Sequence, residues 1–416
     1  MPIWKKALGI LLLGVLAFQL AACAPRVQAA DLMAGLGAKP VEGKEADANF
    51  IGSAADFALE LFKKTVDKEE NSLVSPLSVL LALAMTANGA DTQTLAEMEE
   101  VLGSHIPLAE LNEYLYSYVK TLPSAKKAKL TIANSIWFRD EAARLTVERD
   151  FLQRNADYYG AAAYKSPFDK QTLADINNWV KKNTDGMIDS ILEEIAEDAV
   201  MYLINAIVFE AEWERIYTEY DIREGFFTAL DGSQQKVEFM HSEESAYLDD
   251  GRAIGFIKPY AGNLYSFAAL LPNEGVDLGD YIAGLSGNGF LETIAGAQST
   301  PVAAALPKFS YDYRIKMNEA LKIMGMPRAF SSREADFSKL GQSSRGNIFI
   351  GEVLHKTFIQ VDERGTKAGA VTKVEMNDEA YIETKSVVLD RPFVFAIIDN
   401  ASNLPLFIGS LAEIGD

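Results

Sequence analysis

The apolar pattern of this chain predicts an α+β fold, with helices packed on large β-sheets. Up to about residue 183 the apolar positions recur mainly at helical spacing. Beyond about residue 250 they gather into short runs of strand length bounded by turns. No linker, low-complexity tract or internal repeat interrupts the composition after Asn49. One domain over 49–416 is therefore expected, although 416 residues alone would suggest two or three.

The first helix is expected from Phe50 to Val66, where Phe57, Leu59, Leu61 and Phe62 fall at helical spacing. Ser75 ahead of Pro76 marks a second start, because proline at the first helical position forfeits no hydrogen bond. The continuation Val79–Ala87 is almost wholly apolar, the mark of a helix buried on every side. Further helices are expected over 94–102, 108–121 and 172–183. Strands are expected over 129–138, 199–209, 252–258, 264–271, 302–309, 355–361, 391–398 and 404–410.

The N-terminus stands apart from this fold. A basic start (Lys5, Lys6) precedes Ala7–Leu20 without a charge, too short for a comfortable membrane span and shaped like an export signal. It ends in Leu20-Ala-Ala-Cys23, which resembles a bacterial lipobox, and Cys23 is the chain's only cysteine. Lipidation of Cys23 is the expectation, with ordinary cleavage at an Ala-x-Ala site as the alternative. The signal peptide, residues 1–23 ending at the lipobox cysteine, would then be cleaved just before Cys23, leaving Cys23 as the lipidated first residue anchored in the membrane. Residues 24–48, rich in Ala, Gly and charge, would form a flexible tether. Ala24 stands where aspartate often signals inner-membrane retention, so display on the cell exterior is expected over a periplasmic site. No disulfide is available, so packing alone must hold the fold.

A formal net charge of −20 argues against nucleic acid as a partner. Lys126, Lys127 and Lys129 cluster, but three charges are usually a solvated face. Three histidines and one cysteine leave little for a metal site or a Cys–His pair, so no metal and no cofactor are expected. There is no nucleophile elbow, P-loop or dinucleotide fingerprint. Ser124-Ala-Lys-Lys127 matches Ser-x-x-Lys, but no Lys-Thr-Gly follows and Ser124 sits beside Pro123. Catalysis is not expected.

One segment has two incompatible readings. By composition Glu363–Met376 is an exposed loop with glycines, lysines and glutamates. By alternation it is a strand. Thr366, Ala368, Ala370, Thr372, Val374 and Met376 share one small or apolar face, while Lys367, Lys373 and Glu375 lie on the other.

Several short motifs carry a resemblance. Asn71-Ser-Leu-Val-Ser-Pro-Leu-Ser78, Ile132-Ala-Asn-Ser-Ile-Trp-Phe138 and Ile176-Asn-Asn-Trp-Val180 are similar to serpin motifs. So are Thr184-Asp-Gly-Met-Ile188, Leu203-Ile-Asn-Ala-Ile-Val-Phe209 with Trp213, Leu306-Pro-Lys-Phe309, His355-Lys-Thr-Phe358, Arg391-Pro-Phe393 and Leu406-Phe-Ile-Gly409. They occur in family order across Asn49–Asp416. The chain thus resembles the serpins, and the resemblance implies helices on three β-sheets with an exposed reactive-centre loop.

It also implies a monomeric, irreversible inhibitor of an extracellular serine protease. The cleaved loop would insert as a new strand of the large sheet and trap the acyl-enzyme. In that reading Glu363, Gly365, Thr366, Ala368, Ala370 and Thr372 form the hinge. Ser75, Ser78, Asn205 and His355 form a polar shutter where the sheet parts, and Trp213 sits at the breach where insertion begins. Arg364, Lys367 and Val371 depart from the family's usual residues and are expected on the solvent side. Sixteen residues beyond Glu363 the scissile bond falls at Glu379–Ala380, pointing to a glutamyl-preferring protease. A shift to Asp378, Ala380 or Tyr381 stays open, and Tyr381 would suit a chymotrypsin- or subtilisin-like enzyme. A non-inhibitory serpin acting as a binding module is the rival reading.

Overall fold

The computed structural model describes residues 27–67, 69–140, 145–197, 199–344, 346–366 and 384–415. Its first helix, α1 (Ala48–Thr65), starts where the Asp47 carboxylate accepts from the Phe50 N–H and ends on Lys63 and Lys64. Both ends suit the helix dipole. α2 (Pro76–Ala87) has every residue buried, as its uniform apolarity requires. α3 (Thr92–Gly103), α4 (Leu108–Thr121), α5 (Arg149–Tyr159) and α6 (Lys170–Asn183) follow. α6 opens on a reciprocal cap between Asp169 and Thr172. Later come α7 (Leu278–Ala283), α8 (Gly287–Ala295) and α9 (Asn318–Met324). These three and α5 were not foreseen, because they are short or bury only a few side chains.

Three larger sheets and a two-stranded ribbon complete the fold. The largest has seven strands: β1 (Ala30–Asp31), β5 (Ala162–Ser166), β3 (Ala128–Arg139), β6 (Met201–Glu212), β16 (Gly365–Thr366), β15 (Glu352–Asp362) and β13 (Phe309–Lys316), in that order. The second has six: β2 (Ser72–Val74), β19 (Pro405–Leu411), β18 (Phe393–Asp399), β11 (Tyr265–Pro272), β10 (Ala253–Pro259) and β9 (Ala246–Asp249). The third has four: β17 (Lys385–Val388), β12 (Val302–Pro307), β8 (Gln234–Glu244) and β7 (Ile222–Thr228). β4 (Leu145–Val147) and β14 (Gly341–Ser343) form the ribbon.

α2 touches β3 and β6 on one side and β19 on the other, which places it between the two larger sheets in the main core. A second, smaller core joins α6 to the seven-stranded sheet, through Ile176, Trp179 and Val180 against Trp137, Tyr202 and Leu354. This is an α+β fold, as the apolar pattern predicts.

Two expectations are corrected. The strand expected over 302–309 is two strands in different sheets: β12 pairs with β8, and β13 pairs with β15. The break falls at Lys308, whose N–H donates to the Glu238 carbonyl. The tether expected over 24–48 is, through its described part, packed on the domain. The Gln28 and Ala29 N–H groups donate to the Asp175 carboxylate at 2.7 and 2.8 Å, and β1 then pairs with β5. Lys39 N–H reaches Asp157 at 2.7 Å, and Lys44 pairs with Glu110. These backbone N–H groups find partners on the domain's carboxylates, which composition does not reveal.

Candidate functional site

The seven-stranded sheet parts between its two central strands. β6 and β15 run parallel and pair directly from Glu352↔Tyr202 to His355↔Asn205. Farther along, β16 lies between them and pairs antiparallel with both, Thr366 standing opposite Ala211 and Val361. An intervening strand sets β6 and β15 about 9–10 Å apart there, twice the usual spacing. Between these regions Ile207, Val208, Phe209, Phe358, Gln360 and Thr366 line a small cavity of about 10 Å³.

The expected hinge starts at the parted end. Glu363 and Arg364 form the turn between β15 and β16, and three successive carbonyls of this turn are held from the segment that follows β6. Trp213 Nε1 donates to the Asp362 carbonyl at 2.9 Å, the Tyr217 N–H to Glu363 at 2.9 Å and the Trp213 N–H to Arg364 at 2.8 Å. The Asp362 carboxylate accepts from the N–H groups of Arg364 and Gly365. A side chain at Gly365 would stand 2.0 Å from the Ala211 carbonyl oxygen, so only glycine fits. Thr366 is 3% exposed, and its hydroxyl lies 2.6 Å from that of Tyr260, which stacks on Trp213 with ring centres 4.5 Å apart. Lys308 bridges Glu238 at 2.8 Å and Glu363 at 3.0 Å. Burial pushes the Glu363 carboxyl up, but its own N–H and Lys308 outweigh that and hold it below the ordinary glutamate range.

Ser75, Ser78, Asn205 and His355 meet at the other end of the parting, all buried. The Ser75 N–H donates to His355 Nε2 at 3.0 Å, and its hydroxyl donates to the Leu406 carbonyl at 2.8 Å. Asn205 Nδ2 donates to the Ser78 carbonyl at 2.9 Å and to Asn134. Complete burial pushes the His355 imidazole down to a pKa of about 3, and Nε2 serves as an acceptor, so the ring is neutral. Among the described residues, Ser78 Oγ, Asn205 Oδ1 and His355 Nδ1 are buried without a hydrogen-bond partner.

The structure thus brings the four shutter residues together and sets Trp213 against the turn carrying Glu363 and Gly365, with Thr366 beside it. Arg364 is exposed, as expected. Ala368, Ala370, Thr372, Glu379, Ala380 and Cys23 lie outside the described residues. Tyr217, Tyr260, Thr357 and Lys308 also serve the site. Lys308 belongs to one of the motifs quoted above, and Thr357 lies two residues along its strand from His355 and faces the same way. Nothing in the sequence marks Tyr217 or Tyr260. Among the described residues no group of acidic, histidine or cysteine side chains could hold a metal ion.

The profile of the serpin (serine protease inhibitor) family matches residues 52–414. An uncharacterized serpin-like protein of Thermococcus kodakarensis is 30% identical over 379 residues, covering 88% of this chain and 86% of that protein. The crystal structure of the thermophilic serpin tengpin in its native state is 55% identical and superposes with a TM-score of 0.90. That match covers 93% of this chain and 100% of the other. Tengpin in its latent state scores 0.81 at 54% identity, covering 90% and 100%. The present fold is thus nearer to the native form than to the latent one. The chain belongs to the serpin family, whose members are in general protease inhibitors rather than enzymes.

Proposed function

We propose that this serpin is a suicide inhibitor of an extracellular serine protease, trapping the acyl-enzyme by drawing its cleaved loop into the seven-stranded sheet. The observation that carries this reading is the position of β16, where the start of the hinge already lies as a strand between β6 and β15. Continuing its register sets residue 368 against Phe209 and Ile359, residue 370 against Ile207 and Thr357, and residue 372 against Asn205 and His355. All six neighbours are buried, and Ala368 and Ala370 are small enough to join them. Residue 372 is the first that must displace an existing rung, His355↔Asn205. Insertion therefore starts into strands already apart, gaining about 1 kcal/mol per net hydrogen bond before it breaks any.

Glu379 at the expected scissile bond favours a glutamyl-preferring target, since a buried carboxylate needs a basic or hydrogen-bonding pocket. The test is incubation with glutamyl-preferring, chymotrypsin-like and subtilisin-like proteases, followed by a denaturing gel. A covalent band containing a once-cut chain is expected. Cleavage of the loop without any such band would point to the non-inhibitory binding module instead.

Export and lipid anchoring belong to the same reading and rest on Lys5-Lys6, the apolar run and Cys23. The protein would face the cell exterior as a monomer. Cys23→Ala should shift it from the membrane fraction to the soluble one, and unchanged fractionation would remove the anchor from the proposal.

A further inference from the structure

Behind the hinge lies a buried ion pair that nothing above employs. Lys258, near the end of β10, is 2% exposed, and its Nζ lies 2.7 Å from Glu244 Oε1 at the end of β8, itself 8% exposed. The same ammonium sits 4.3 Å from the ring centre of Tyr217 and 5.4 Å from that of Trp213. These are the two residues whose three N–H groups hold the carbonyls of Asp362, Glu363 and Arg364. Glu244 also accepts from the Ser242 hydroxyl at 2.6 Å, and Ser242 Oγ lies 3.2 Å from the Tyr217 hydroxyl. Tyr217 is therefore fixed at three points: its ring face by Lys258, its hydroxyl by Ser242, and its N–H on the hinge.

Burying two charges is costly, and an apolar pair of equal volume is often as stable. Stability alone is thus a weak reason for this pair. A cation on a ring face fixes that face electrostatically, with a directionality an apolar contact lacks. Burial lowers the Lys258 pKa, and Glu244 works against that shift.

We propose that the Lys258–Glu244 pair is a positioning element for loop insertion. It holds Trp213 and Tyr217 where they keep the hinge turn preformed, and so sets how a cleaved molecule divides between trapping its protease and escaping as product. The inference rests on the insertion reading. Once the acyl-enzyme forms, insertion competes with deacylation. A hinge that must first re-form its turn loses time in that race. The scissile bond lies in a different part of the loop, so the rate of loop cleavage is unaffected.

The experiment compares wild type, Lys258→Met, Glu244→Gln and the double variant Glu244→Met with Lys258→Met, against a protease that the wild type traps. Three quantities are read: inhibitor molecules consumed per protease trapped, the rate of loop cleavage, and the melting temperature. Lys258→Met should raise the consumption at least threefold at an unchanged cleavage rate. The double variant, with an apolar pair and no stranded charge, should regain thermal stability but keep the raised consumption. It also stands in if either single variant fails to fold. If the double variant regains wild-type consumption along with stability, the pair acts only through stability and the proposal is overturned. Variants that match wild-type consumption while melting lower overturn it too. A wild-type chain that traps no protease would instead defeat the insertion reading itself.

Discussion

The clusters expected to act as breach and shutter lie on the same pair of strands, and they differ in how fully their hydrogen bonds are met. At the breach, the three carbonyls of the Asp362–Arg364 turn are all paired, Thr366 meets Tyr260, and Lys308 neutralises Glu363. At the expected shutter, Ser78 Oγ, Asn205 Oδ1 and His355 Nδ1 are buried without partners among the described residues, and the adjoining ladder is only four rungs long. A buried polar atom left unpaired costs about 1–3 kcal/mol. In the proposed insertion, the sheet is tightly satisfied where the strand would begin and poorly satisfied where it would advance. This asymmetry would give the proposed insertion a direction.

The largest effect expected from that asymmetry is on the nicked chain. A single cut between residues 376 and 382 should let the loop fill the parting and raise the melting temperature by more than about 10 °C, given 5–15 kcal/mol for an ordinary domain. Thermal unfolding before and after limited proteolysis measures it, and an equal or lower melting point breaks the comparison. Next in size is Thr366→Arg. A guanidinium forced beside Tyr260 without a counter-charge should cost several kcal/mol, expel Gly365 and Thr366 from between β6 and β15, and so turn inhibitor into substrate. Full covalent complex from this variant would mean that the inward face does not govern insertion.

The shutter makes a smaller, pH-dependent prediction. His355 has a folded pKa of about 3 and an ordinary unfolded one near 6.5, so below pH 6.5 the unfolded chain binds the extra proton. Its contribution is intact above pH 6.5 and is lost progressively as pH falls toward 3, amounting to about 2 kcal/mol at pH 5. Denaturant unfolding of wild type and His355→Gln should converge as pH drops across that window. Parallel curves would show that His355 is not the titrating group. The smallest effect belongs to Lys308→Ala. Its ion pairs are partly exposed, so a loss of at most about 1 kcal/mol, reduced by salt, is expected at the breach. A larger, salt-insensitive loss would make Lys308 part of the tight end of the sheet.

Local pattern placed most of the elements. The helix 108–121 has the expected ends, and most foreseen strands shift by only one to three residues, because 3.6- and 2-residue periods follow from backbone geometry alone. The hairpin β7–β8 went unforeseen: its exposed Arg223, Glu224, Lys236 and Glu238 dilute the alternation of Phe227, Val237 and Phe239. Motif resemblance singled out Ser75, Ser78, Asn205, His355 and Trp213. Tyr260, Tyr217, Lys258 and Glu244 stayed invisible, since their roles depend on contacts between residues far apart in the chain.

By itself the sequence determined the family, the α+β class and the alternation of small residues from Thr366 onward, because each is written in local spacing and side-chain size. Only the tertiary structure decided that the sheet parts beyond His355 and Asn205, that Gly365 and Thr366 already lie between the parted strands, and that residues 28–31 bind Asp175 and β5. Each of those depends on which backbone donors and acceptors remain unpaired once the sheets are assembled. Apart from the tight turn from β15 into β16, that pairing is settled between segments more than a hundred residues apart, where no local pattern reaches.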